Sequence, residues 1–167
     1  MFAPSLDFAK QIWDEARHAQ YIYQLFIEKG GDLKSQSYTN NVIARYMQSN
    51  SLLESLVIQQ TLQEGNAVEI NLSLIKELTI LNRLPEANAF YNINNDEAYH
   101  VKIGNKWIGY LMEANEIQEE ELLELMLNAA DKIDIPLFGK GGWDSDIRAQ
   151  VGFPSWFIEV REQIYNH

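Results

Sequence analysis

The chain has 167 residues, enough for one domain with a buried core, and nothing in it forces a second. Its 24 Asp and Glu outnumber its 13 Lys and Arg, giving a net charge of -11 with no local basic patch, which argues against nucleic acid as a partner. The absence of cysteine excludes disulfides, zinc–thiolate sites and thiol nucleophiles, makes a cytoplasmic setting the expectation, and leaves histidine and carboxylate to hold any metal.

The start, MFAPSLDFAKQIWDE, lacks a basic lead followed by an apolar run, and no segment approaches the roughly 18 uncharged residues that a membrane span requires. Helical periodicity dominates and only four prolines interrupt it. A first helix is predicted over residues 5–29, capped by Ser5 and stopped by Gly30 and Gly31, with Phe8, Ile12, Ala19, Ile22 and Phe26 as its apolar stripe. After the polar loop DLKSQSYTNN, a second helix runs over about 42–64, with Val42, Tyr46, Leu53 and Val57 on one face. Asn71 is expected to cap a shorter helix over 72–84, and Pro85 to open a long one over 85–114 carrying Phe90, Ile93, Val101, Ile108 and Leu111. A further amphipathic helix covers 116–132, its Glu119, Glu120, Glu121 and Glu124 forming a solvated face, and Pro136 ends it. The remainder, about 134–167, is a C-terminal extension with three glycines in four residues and two short helices starting near Asp144 and Pro154. No strand alternation persists over five residues, so the whole chain, 1–167, reads as a single all-α bundle.

Against that background one pattern stands out. DEARHA, residues 14–19, returns 82 positions later as DEAYHV, residues 96–101, so two of the three histidines occupy the same Asp-Glu-Ala-x-His frame. On a helix Glu15 and His18 lie about 60° apart, as do Glu97 and His100, and each pair falls on or beside the apolar stripe. A carboxylate carried inward without a counter-charge costs several kcal/mol, and neither Arg17 nor Lys102 points toward its neighbouring glutamate. A metal is the simplest partner. One Glu-x-x-His is common by chance, but two full frames among three histidines call for a shared cause.

Carboxylate and imidazole from paired helices are the ligands of iron and manganese in helical bundles, where two helices give Glu-x-x-His and two others give one glutamate each. For a single glutamate, Glu64 continues the face of Val57, Gln60 and Val68, with Glu69 in reserve, whereas Glu54 shares a face with Asn50 and Thr61 and reads as solvent-facing. Metal-bound histidines usually donate their other ring N–H to a carboxylate, which suggests Asp14 as the orienter of His100 and Asp96 as that of His18. Tyr21, Tyr91 and Tyr99 lie near the motifs in sequence, with ordinary aromatic packing the simpler role for each.

Four stretches, DEARHA, LQEGNAVEINLS, DEAYHVKIGNKWIGYL and PLFGKGGWDSDIRAQVGF, together resemble the ferritin-like superfamily of di-iron carboxylate proteins, and more narrowly an uncharacterised bacterial ferritin-like family. The resemblance spans nearly the whole chain, including Arg148, Gly152 and Phe153 in the tail. It implies a ferritin-like bundle in which Glu15 with His18 and Glu97 with His100 are ligand pairs and Glu64 bridges two metal ions. Members of that family carry a further helix with a fourth glutamate before the first Glu-x-x-His, and this chain begins after it, so the bundle reads as N-terminally truncated. The missing ligand is then expected from a partner protein, from a homodimer, or from Glu159. The resemblance implies two iron ions, or a manganese–iron pair, activating O2 for oxidation of a small organic substrate. The alternatives are a non-catalytic subunit acting by association and, more weakly, a ferroxidase or iron store.

Overall fold

A computed structural model describes residues 4–35, 37, 39–135, 137 and 144–165, the side chains of 164 and 165 excepted, and every regular element among them is helical. Helix α1 (Pro4–Glu28) begins on a proline, which forgoes a donor that the first turn leaves unpaired anyway. It ends where Gly30 turns into the left-handed region at φ 81°, with Gly31 N–H donating to the Phe26 carbonyl at 2.9 Å.

The second predicted helix is interrupted. Helix α2 (Asn41–Tyr46) stops, and α3 (Leu52–Leu56) restarts on a fresh cap: the Ser51 side chain accepts the Glu54 N–H at 3.1 Å while Glu54 accepts the Asn50 N–H at 2.6 Å. Glu54 is therefore buried, not solvent-facing, and it also pairs with Lys132. From α3 the chain continues without a break through a π-helical stretch (Val57–Glu64) into α4 (Gly65–Ile80). Asn71 lies inside α4 and caps nothing, because the helix enters it already wound.

A tight turn with Asn82 at φ 55° joins α4 to α5 (Leu84–Ala114), the longest helix, whose first turn holds Pro85. Helix α5 is the spine of the bundle: α4, the π-helical stretch and α1 all pack on it. Helix α6 (Glu119–Lys132) carries a capping box between Gln118 and Glu121, and Glu119, Glu120, Glu121 and Glu124 are exposed as its acidic face predicts. Pro136 and the glycine run lie outside the described residues. In the tail, α7 (Ser145–Gln150) is capped by Asp144 and α8 (Ser155–Tyr165) follows. The core gathers Val57, Ile58, Leu62, Val101, Ile108, Leu122, Met126 and Phe157 where the π stretch, α5, α6 and the tail meet. Among the described residues no helix is long and apolar enough to cross a membrane.

Helix α1 departs from its expected orientation. Its buried residues are Gln11, Asp14 and His18, whereas Ile12, Ala19 and Ile22 of the supposed apolar stripe are exposed. The helix is rotated so that a polar row faces α5 and the π stretch, because the hydrogen-bonding and charge demand of the opposing side chains outweighs burial of two isoleucines.

Candidate metal centre

The rotation of α1 and the inward face of α5 bring the two Asp-Glu-Ala-x-His frames together. The imidazoles of His18 and His100 sit with ring centroids 6.1 Å apart, and both are buried. Each turns Nε2 to the aspartate of the opposite frame: His18 to Asp96 Oδ2 at 3.1 Å, and His100 to Asp14 Oδ2 at 3.2 Å. Each turns Nδ1 to the glutamates. His100 Nδ1 lies 3.2 Å from Glu97 Oε2, 3.3 Å from Glu15 Oε1 and 3.8 Å from Glu64 Oε2. His18 Nδ1 lies 3.5 Å from Glu97 Oε1 and 3.6 Å from Glu15 Oε2. Glu15 and Glu97 thus reach both imidazoles, and Glu64 enters from the π stretch beside His100.

Glu64 is positioned by Gln11 and Gln59, which periodicity did not single out, backed by Gln60, which it placed on the same face. Gln11 Nε2 donates to Glu64 Oε1 at 3.0 Å and Gln59 Nε2 at 2.6 Å, and Gln60 Nε2 in turn donates to Gln11 Oε1 at 2.8 Å. Gln60 fits against α5 because residue 104 is glycine; a Cβ there would overlap the Gln60 side chain. Cations are present at the periphery, not at the glutamates. Arg17 Nη2 lies 2.8 Å from both Asp14 and Asp96, and Lys10 pairs with Asp14, so the aspartates carry the local positive charge. Among the described residues, Glu15, Glu64 and Glu97 form ion pairs only with the two histidines.

Electrostatics reflect that crowding. Burial pushes the Glu97 carboxyl up, and the facing Glu64 and Glu15 carboxylates add to it. Burial acts the same way on Glu64, but hydrogen bonds from His100, from Glu97 and from Gln59 outweigh it and hold Glu64 below the usual range. Burial opposes a charged His100, yet bonds to Glu15, Glu64, Glu97 and Asp14 push its pKa up to about 12. Asp14 is held at about 2, because Lys10, Arg17 and His100 together overcome its burial. An entering cation would compete with protons for these carboxylates and imidazoles.

The donor set fits a metal on its own chemistry. One ligand atom each from Glu15, Glu64, Glu97 and His100 lie within 4.8 Å of one another. In addition, His18 Nδ1 is buried without a hydrogen-bond partner, between two carboxylates just beyond hydrogen-bonding range. The reserve ligand Glu69 is not part of this cluster: Arg148 grips it with Nε at 3.0 Å and Nη2 at 2.8 Å, a pairing to which a residue 79 positions away gave no sequence clue. Glu159 is exposed on α8 and is not brought to the cluster, so the C-terminal helix does not furnish a further carboxylate. Tyr21, Tyr91 and Tyr99 are exposed, and Trp107 packs on the core while donating to Asp7 at 2.9 Å.

Fold and site together define an all-helical protein with a buried histidine–carboxylate cluster able to hold a metal ion. The chain belongs to the family described as "Protein of unknown function (DUF455)", which matches residues 4–159. No curated protein and no solved structure matches it.

Proposed function

We propose that the chain is a ferritin-like, O2-dependent oxidoreductase that holds two iron ions, or manganese and iron, and oxidises a small organic substrate. The observation that carries this reading is the paired geometry: two imidazoles each present Nδ1 to shared glutamates and Nε2 to an aspartate, with His18 Nδ1 left without a partner. Glu15, His18, Glu64, Glu97 and His100 would hold the ions. Asp14 and Asp96 fix the tautomer and ring orientation of the ligand histidines, and Arg17 ties the two aspartates together. When bound, reduced iron supplies the electrons and open positions that O2 activation requires. The protein supplies four buried ligands, His18, Glu64, Glu97 and His100, and one half-exposed ligand, Glu15 at 48%.

A second reading, association through an apolar face, has the exposed Ile12, Trp13, Val42, Ile43, Met47 and Leu52 in its favour, and it would place a partner or a second copy over α1 and α2.

Iron and manganese per chain after anaerobic Fe(II) loading test the proposal. The wild-type chain is expected to retain about two ions, and Glu97→Ala and His18→Ala to lose most of them with helical circular dichroism retained. Admitting O2 to the loaded protein should produce an absorbance change that the variants lack. Only trace metal in the wild-type chain would sink the metal centre and favour the associating role.

A further inference from the structure

Beside the glutamate cluster, between α1 and α3 with its π-helical continuation, lies a cavity of about 420 Å³, within the range of small-molecule sites. Its walls are largely apolar, formed by Phe8, Ile12, Leu52 and Leu56, and its floor is Glu15 with Gln11, Gln59 and Gln60. Glu15 is the one exposed member of the four-residue cluster, so the cavity opens onto the side from which the cluster can be reached. Among the described residues that line it, Glu15 alone is charged. The cleft on the other side of His18, about 510 Å³, is lined by Arg17, Asp96, Asn92 and Tyr21, and its opposite charges already satisfy one another.

We infer that this cavity binds the substrate of the proposed metal centre, and that the substrate is a largely apolar small molecule. The inference rests on the metal reading for the word substrate, and on the cavity alone for the binding. In the metal-free chain an anionic ligand is disfavoured, because Glu15 alone is charged among the described residues of the lining.

The test is calorimetric titration of the full-length chain, metal-free and Fe(II)-loaded, with 1-octanol, octylamine and octanoate as probes. Saturable binding of octanol and octylamine is expected, with octanoate at least about tenfold weaker on the metal-free chain. Ile12→Glu and Leu52→Glu, at positions 71% and 64% exposed and therefore tolerant of the change, should weaken both binders about tenfold without altering iron content. Absence of saturable binding, octanoate binding the metal-free chain as tightly as octanol does, or rim variants that bind like wild type would overturn the inference. So would a dimer that Ile12→Glu converts to monomer, since the cavity would then be a protein–protein contact. Iron uptake without probe binding removes this inference and leaves the metal reading standing; probe binding in a chain that takes up no iron removes the metal reading and the assignment as substrate.

Discussion

At the level of single residues, the legible part of the site was the part that repeats. The frame of Asp14, Glu15 and His18 recurring at Asp96, Glu97 and His100 pointed to one shared centre, and the structure brings both copies to it with each aspartate on the opposite histidine. Gln11, Gln59 and Gln60 could not be read in the same way, since glutamine has no charge to balance and its role depends on which carboxylate lies across the interface. Gly104 is the other half of that arrangement. In DEAYHVKIGNKW it looked like part of a family signature; physically it is the position at which α5 gives way to the Gln60 side chain. Gly104→Ala is therefore expected to destabilise the fold by about 1–3 kcal/mol through overpacking, even though alanine is the better helix former by roughly 1 kcal/mol, and the urea midpoint of the metal-free protein measures it. The substitution should also lower metal retention, because a displaced Gln60 loosens Gln11 and through it Glu64. A variant as stable as wild type, or more so, would show that the contact relaxes without cost.

At the level of helices, existence was legible and rotation was not. The boundaries of α1, α5 and the tail helices follow their prolines, glycines and caps. The stop between α2 and α3 was also written locally, in Ser51 and Glu54 as a cap with its returning carboxylate, although an uninterrupted apolar period masked it. The π-helical stretch has no comparable signal: it advances by more residues per turn than an α-helix, and it ends at Glu64, where such irregularities often accompany function. The docking of α1 on α5 offers a charge-based check. Glu86, in the first turn of α5, accepts from Lys29 Nζ at 2.7 Å and from Arg83 at 3.0 Å. The Lys29 ammonium first, then its own first-turn amide and Arg83, lower its pKa from 4.5 to about 2. A carboxyl depressed in the folded state stabilises fully above its unfolded pKa and loses that contribution as the pH falls through the folded one. Glu86→Gln should therefore lower the urea midpoint near neutral pH, and the difference from wild type should shrink between about pH 4.5 and about pH 2. A pH-independent difference across that window would show that the pairing contributes nothing through charge.

On the scale of the whole molecule, the question is why α7 and α8 belong to the bundle at all. Their attachment centres on Arg148, only 1% exposed, which reaches from α7 into α4 to grip both oxygens of Glu69 and, through Nη2, the side-chain Oδ1 of Asn66 at 2.9 Å. The guanidinium lies 4.8 Å from the Phe153 ring centroid, and Phe153 stacks on Phe157 at 5.2 Å. The same group fits against residue 65, where a Cβ would stand 2.9 Å from both Arg148 Nη1 and Phe153 Cζ, so the clamp touches the residue adjoining Glu64. Removing one member of a buried pair leaves the other charge without compensation, which costs about 3–5 kcal/mol, whereas replacing both with apolar side chains of similar volume is often nearly neutral. Arg148→Met is thus expected to lower stability by about 3–5 kcal/mol, and Arg148→Met with Glu69→Met to regain most of that loss, both read from urea unfolding of the metal-free chain. Proteolysis separates the two causes of any loss: if the clamp attaches the tail, the single variant is cut between α6 and α7 under conditions that leave the wild type intact. Metal retention then decides whether the attachment matters to the centre. A double variant that recovers stability but holds less iron than wild type would mean that the tail braces Gly65 and, beside it, Glu64; equal retention would confine Arg148 to holding the fold together.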